Sequence, residues 1–70
     1  MNTTELERLA RDVGAVYDAE LLGVELPLDA DMVRLHFRKG QDAYDVAITA
    51  QALANDERSH ITEQIQWTLQ

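Results

Sequence analysis

The sequence predicts a small α+β domain, and three patterns carry that prediction. A helical pattern opens the chain, an alternating pattern that turns at a glycine fills its middle, and a second helical pattern closes it. Seventy residues suffice for one hydrophobic core, so residues 1–70 are expected to form a single domain. We expect an N-terminal helix, one short segment that can form only an edge strand, an antiparallel β-hairpin and a C-terminal helix. Both helices should pack on one face of a small antiparallel sheet.

The first helix is predicted from apolar residues that recur every three or four positions. They are Leu6, Leu9, Ala10, Val13, Val16, Tyr17 and Leu21. Thr4 and Glu7 have the spacing of a capping box, which places the start of the helix there. Leu22 falls opposite the apolar stripe and Gly23 follows it. We therefore expect the helix to end between Ala19 and Leu22, with Gly23 as the terminating residue.

The segment VELPL, residues 24–28, alternates apolar and polar side chains as a strand does. Pro27 has no N–H to donate, so this strand can lie only at the edge of a sheet. Two pairs with the following strand would keep the apolar side chains on one face: Leu28 with Val33, and Leu26 with Leu35.

The stretch VRLHFRKGQDAYDVAI, residues 33–48, has the pattern of a β-hairpin. Gly40-Gln41 fits a two-residue type II′ turn, since glycine readily supplies the positive φ. The resulting register places six apolar side chains on one face: Val33, Leu35, Phe37, Tyr44, Val46 and Ile48. The other face receives Arg34, His36 and Arg38, opposite Ala47, Asp45 and Ala43. A shift by one residue would destroy this separation, so the pattern specifies one register.

The last third of the chain predicts a short helical turn at residues 50–54, capped by Thr49. The polar run NDERS then indicates a break, and the main helix should extend from about Asp56 to the C-terminus. Its apolar stripe consists of Ile61, Ile65 and Leu69. Trp67 lies about 160° around the helix from Leu69. Either Trp67 points outward to a partner, or the last turn bends and the ring covers the edge of the core.

The charge of the chain is unevenly distributed. The net charge is −7, but residues 32–48 carry three basic and two acidic residues. The basic residues of this ribbon are Arg34, Arg38 and Lys39. They can form a recognition strip for an acidic protein surface or for DNA, or they can keep an exposed sheet from pairing with other chains. An acidic protein is the favoured partner, because a chain this acidic has a weak electrostatic footprint for nucleic acid.

The sequence contains no motif for catalysis, a metal or a cofactor, and we expect a protein that is not an enzyme. There is no cysteine and no glycine-rich phosphate loop. Ser59 and His60 are adjacent on the predicted helix and point in different directions. His36 and Asp45 should be cross-strand neighbours, which raises the pKa of His36. A surface pair is favoured over a metal site, because a metal needs three or four ligands.

The expected function is that of a small non-enzymatic protein–protein interaction module: an adaptor, inhibitor or regulator. It would use the outer face of the hairpin, the C-terminal helix or both. The expected contact residues are Arg34, His36, Arg38, Lys39 and Trp67. With no signal peptide and no apolar run of about 20 residues, a cytoplasmic protein without a membrane partner is expected.

Two other classes of function remain open. The order of elements and the length resemble those of small phage head–tail joining proteins, in topology alone. That resemblance implies a structural assembly protein, such as a virion component, that functions as part of an oligomer. Weak nucleic-acid binding through the basic ribbon is the third class.

Overall fold

The structure is a computed structural model, and it describes residues 1–26 and 31–70. The elements are α1 (Thr3–Val16), β1 (Ala19–Glu25), β2 (Met32–Lys39), β3 (Asp42–Thr49), α2 (Ala50–Ala54) and α3 (Arg58–Leu69). Within these residues the strands form a three-stranded antiparallel sheet in the order β1-β2-β3. The N-terminal and C-terminal helices pack against this sheet, so the predicted α+β fold is confirmed.

The predicted hairpin register is confirmed at every pair. Each expected partner is found, from Lys39 opposite Asp42 to Val33 opposite Ile48. Gly40 has a φ of 64°, as the first central residue of a type II′ turn requires. Five of the six inward side chains are buried and Tyr44 is half-buried. Alternation therefore places the apolar set of the hairpin in the core.

The first helix ends earlier than predicted. It stops at Val16 rather than between Ala19 and Leu22, and Asp18 turns the chain with a φ of 57°. From Ala19 onward the chain is a strand, and Leu21 lies opposite Phe37. The apolar spacing of this segment fits both a helix and a strand, and pairing with β2 decides in favour of the strand.

The edge strand therefore begins at Ala19 rather than at Val24. Gly23, predicted to terminate the helix, lies inside β1 beside a β-bulge between Leu21 and Gly23. Val24 is the partner of Leu35, so the predicted pair of Leu26 with Leu35 is wrong. Pro27 and the predicted pair of Leu28 with Val33 involve positions outside the described residues.

One of the two predicted N-caps is wrong. Asn2 rather than Thr4 caps α1, and its side chain accepts a hydrogen bond from the Glu5 N–H at 2.8 Å. The capping-box pattern that starts at Thr4 therefore lies inside the helix. Thr49 caps α2 as predicted, because its hydroxyl accepts a hydrogen bond from the Ala52 N–H at 3.1 Å. The predicted break follows α2, and α3 begins at Arg58.

The two long helices run side by side toward the hairpin turn. Arg58, in the first turn of α3, donates to the carboxylate of Glu5, in the first turn of α1, at 2.6 Å. At the other end, the Lys39 ammonium donates to the Leu69 carbonyl at 2.8 Å. α1 packs mainly on β1, and α3 packs on β3. Their buried side chains meet those of the sheet in one core cluster: Leu6, Ala10, Val13, Ala19, Val33, Leu35, Phe37, Val46, Ile48, Ala52, Ile61, Ile65 and Leu69.

Gly14 allows α1 to approach the sheet closely. A Cβ atom at Gly14 would lie 2.9 Å from Cε1 of Phe37 and 3.0 Å from the carbonyl oxygen of Ala19. Replacing glycine by alanine in an ordinary helix interior stabilises a protein by about 1 kcal/mol. Here the added methyl group forces a shift of the buried ring, which costs about 1–3 kcal/mol. After the gain in helix propensity is subtracted, we expect Gly14→Ala to destabilise the protein by up to about 2 kcal/mol. Urea unfolding measures the change.

Gly23→Ala is the matched control, because a Cβ atom there meets no atom within 4 Å. Its free energy of unfolding should stay within about 0.5 kcal/mol of the parent value. A Gly14→Ala protein at least as stable as the parent would contradict the close packing of α1 on Phe37.

Candidate functional site

The outer face of the sheet carries the charged side chains of the hairpin. The confirmed register directs Arg34, His36 and Arg38 away from the helices, as predicted. The register of β1 was not predicted correctly from the sequence. β1 adds Glu20 and Glu25 to this face, and β3 adds Asp45. These side chains form a mixed-charge surface that spans three strands.

His36 connects all three strands. Its Nδ1 lies 2.6 Å from Oδ1 of Asp45 on β3, and its Nε2 lies 2.9 Å from Oε2 of Glu25 on β1. A neutral imidazole can donate only one hydrogen bond, whereas the imidazolium can donate to both carboxylates. The geometry therefore favours the charged form of His36. Asp45 was expected beside His36, whereas the contact with Glu25 on β1 was not predicted.

Both carboxylates raise the pKa of His36 above its ordinary value. The largest cause is the hydrogen bond with Asp45, followed by the hydrogen bond with Glu25. Partial burial of the ring opposes them, since loss of water disfavours the charged form. The predicted direction of the pKa shift is confirmed, and Glu25 adds a second cause to the one expected from Asp45.

The other basic residues of the ribbon have separate surroundings. Arg38 donates to the carboxylate of Glu20 at 2.8 Å. Lys39 belongs to the helix side, where it donates to the Leu69 carbonyl. Arg34 makes no side-chain hydrogen bond or ion pair with any residue in 1–26 or 31–70. The four predicted ribbon residues are therefore not one continuous basic strip.

Trp67 points away from the core. Trp67 is 78% exposed, whereas Ile61, Ile65 and Leu69 on the same helix are buried. Of the two orientations left open by the sequence, the structure has the outward one. Other large apolar residues with exposed surface are Val16, Leu22, Leu26 and Met32. Val16 was expected in the apolar stripe of the first helix, but it is the last residue of α1 and lies outside the core.

Neither a pocket nor a metal cluster is found in the described ranges, 1–26 and 31–70. No cavity opens on their surface, and no group of three or more histidine, aspartate or glutamate side chains there is placed to hold a metal ion. In the same part of the chain, the helices are too short or too polar to span a bilayer. What the surface offers is exposed contact area: the mixed-charge face of the sheet and the indole ring of Trp67.

Comparisons with protein-family models, curated proteins and solved structures found no match for this chain. The function is therefore inferred from the surface residues alone.

Stability should depend on pH through His36. A group whose pKa is raised by folding stabilises the folded state below its unfolded pKa of about 6.5, and this contribution is lost as pH rises through the folded pKa. Asp45→Asn should lower the pKa of His36 more than Glu25→Gln does, because the bond to Asp45 is the larger cause. An NMR titration of the His36 ring measures both changes.

Asp42→Asn is the control for this titration, because Asp42 lies on β3 opposite Lys39 and does not bond His36. The pKa of His36 should remain nearly as in the parent. A parent pKa at or below the ordinary histidine value would rule out the bridge across the three strands, as would a pKa that neither carboxylate substitution lowers.

Proposed function

We propose that this chain is a non-enzymatic protein–protein interaction module that acts in the cytoplasm as an adaptor, inhibitor or regulator. The observation that carries the proposal is the 78% exposure of Trp67 on the last turn of α3. Leaving an indole ring in water forgoes a large favourable free energy of burial. Tryptophan is also among the residues that most often dominate the binding energy of protein interfaces. The ring is therefore the first candidate for a partner contact.

The outer face of the sheet is the second contact surface in this proposal. Arg34 is the cation there without an acidic partner in the described ranges, because Arg38 is bonded to Glu20 and His36 to Glu25 and Asp45. An acidic partner on this face would thus be attracted chiefly by Arg34. The same internal pairs leave little free positive charge for nucleic acid, so DNA or RNA binding ranks last.

A structural role in an oligomeric assembly is the second candidate function. It is favoured by the number of large apolar residues with exposed surface besides Trp67: Val16, Leu22, Leu26 and Met32. Such residues are buried when copies of one chain associate. The molecular mass in solution separates the two candidates, because an interaction module should be a monomer without its partner and an assembly component should not.

The proposed function is tested by capture of a partner from the native host with parent and variant chains. Trp67→Ala should leave the fold intact, since the side chain lies outside the core cluster. It should weaken partner binding at least about tenfold, mainly through a faster off-rate, as truncation of a dominant interface residue does. Surface plasmon resonance with the identified partner measures this change.

Val16→Ala is the matched control, because Val16 is 76% exposed and apolar but is not an aromatic anchor. It should bind nearly as the parent does. Arg34→Glu tests the sheet face, and there we expect a slower on-rate and a smaller dependence on salt. A partner that binds Trp67→Ala and Arg34→Glu as tightly as the parent would exclude both proposed surfaces. Failure of the parent chain to retain any protein specifically would exclude the function itself.

A further inference from the structure

We infer that the free edge of β3 binds an extended, basic segment of a partner protein, which adds to the sheet as a fourth strand. This inference rests on the proposed function, because it names the kind of segment that the interaction module would hold. Addition of a strand to a sheet edge is a common mode of peptide recognition, in which main-chain hydrogen bonds supply the affinity.

The backbone of β3 has unused hydrogen-bonding groups along its outer edge. With a two-residue turn at Gly40-Gln41, the residues of β3 alternate between bonding β2 and pointing outward. Tyr44, Val46 and Ile48 bond β2, so the N–H and C=O groups of the alternate residues face outward. The outward positions are Ala43, Asp45 and Ala47, and within residues 1–26 and 31–70 no backbone partner from outside the sheet bonds them.

The two edges of the sheet differ in how they are protected. β1 is interrupted by the bulge between Leu21 and Gly23, and bulges discourage pairing of an edge with another chain. β3 keeps an unbroken register over its eight residues. It contains neither proline nor lysine, two residues that commonly prevent an edge strand from pairing with another chain. An added strand would therefore pair more readily with β3 than with β1.

The side chains beside the open edge leave room for an added strand. Ala43 and Ala47 are small, and the carboxylate of Asp45 is turned toward His36, at 2.6 Å. Side chains of the incoming segment can therefore lie over the outer face of β3 without displacing a large residue.

A lone segment fits this edge better than a second copy of the chain. α3 packs on β3, so two copies joined through their β3 strands would bring two α3 helices together. Paired strands are about 4.8 Å apart, whereas packed helices need about 8–10 Å between their axes. The copies would have to splay apart, which would break the new strand pairing. An extended segment without a helix of its own avoids this conflict.

The charge of the surface selects a basic segment. β3 carries Asp42 and Asp45 and no basic residue, in a chain of net charge −7. Most of the basic side chains are already engaged internally, in the pairs Arg11–Glu7, Arg38–Glu20, Arg58–Glu5 and Lys39 with the Leu69 carbonyl. The net charge of −7 therefore favours a basic segment over an acidic one at this edge, although Arg34 lies opposite Ala47 and Asp45 is bonded to His36.

The direct test uses an eight-residue peptide of alternating lysine and valine, added to the ¹⁵N-labelled full chain. We expect the largest amide shifts at Ala43, Asp45 and Ala47, and at least tenfold slower hydrogen exchange of these three amides. The same peptide methylated at every backbone nitrogen keeps its charge and side chains but loses its donors, and it should bind at least tenfold more weakly. Equal binding of the methylated peptide, or shifts confined to the outer-face residues of β2 (Arg34, His36 and Arg38) or to α3, would overturn the inference.

A substitution in β3 itself, rather than in the peptide, tests the same edge. Ala47→Pro removes one outward N–H but no hydrogen bond between β2 and β3, and proline is tolerated on edge strands in this orientation. It should reduce peptide affinity at least tenfold, with Ala47→Ser as the control that keeps the N–H. Unchanged peptide affinity in a folded Ala47→Pro chain would overturn the inference.

Retention of the native partner by the parent and variant chains distinguishes a failure of this inference from a failure of the proposed function. If Ala47→Pro releases the partner, the edge is the binding site and the inference is supported. If Ala47→Pro still retains a partner that Trp67→Ala loses, the edge inference fails while the proposed function stands. If the parent chain retains no partner, the proposed function fails as well.

Discussion

The pairing of β2 with β3 is the constraint on which the rest of the structure depends. Because side chains alternate along a strand, this single register sends the large apolar residues to the helices and the charged residues to solvent. A shift by one residue would bury Arg34, His36 and Arg38 against α1 and α3 and would expose the apolar set. The two-residue turn at Gly40 and the core beneath the sheet therefore support the same pairing.

The same register determines what the surface can offer to another molecule. It places Asp45 beside His36 on the outer face. There the carboxylates of Glu25 and Asp45 offset the positive charge of His36, so the ribbon does not form a continuous basic strip. It also leaves alternate backbone groups of β3, at the edge of the sheet, without a backbone partner among residues 1–26 and 31–70. Trp67, on the helix layer, is exposed independently of these contacts. The contact surfaces that we propose are thus Trp67, the outer face around Arg34 and the edge of β3, rather than one continuous patch of positive charge.

The features that could be predicted from the sequence were those determined by local chemistry. The alternation around Gly40 specified the hairpin and the His36–Asp45 contact, and Thr49 marked the start of α2. The start of β1 could not be predicted, because the spacing of its apolar residues also continues the helical period of α1. The predicted pair of Leu26 with Leu35 differs from the observed register by two residues, yet it also places Glu25 opposite His36, so this contact was within reach of the sequence. Trp67 lay opposite the apolar stripe, but a helical angle alone does not exclude a bent last turn.

Hydrogen exchange along β3 is the most direct test of two linked claims. The first is that β3 pairs with β2 in the register described above, and the second is that the outer edge of β3 is unpaired. The amides of Tyr44, Val46 and Ile48 should be protected, because they bond β2, while those of Ala43, Asp45 and Ala47 should exchange rapidly. NMR on the isolated chain resolves each amide. Protection of Ala43, Asp45 and Ala47 in place of the others would contradict the register. Protection of every β3 amide would show that the edge is already covered, either by this chain or by another copy.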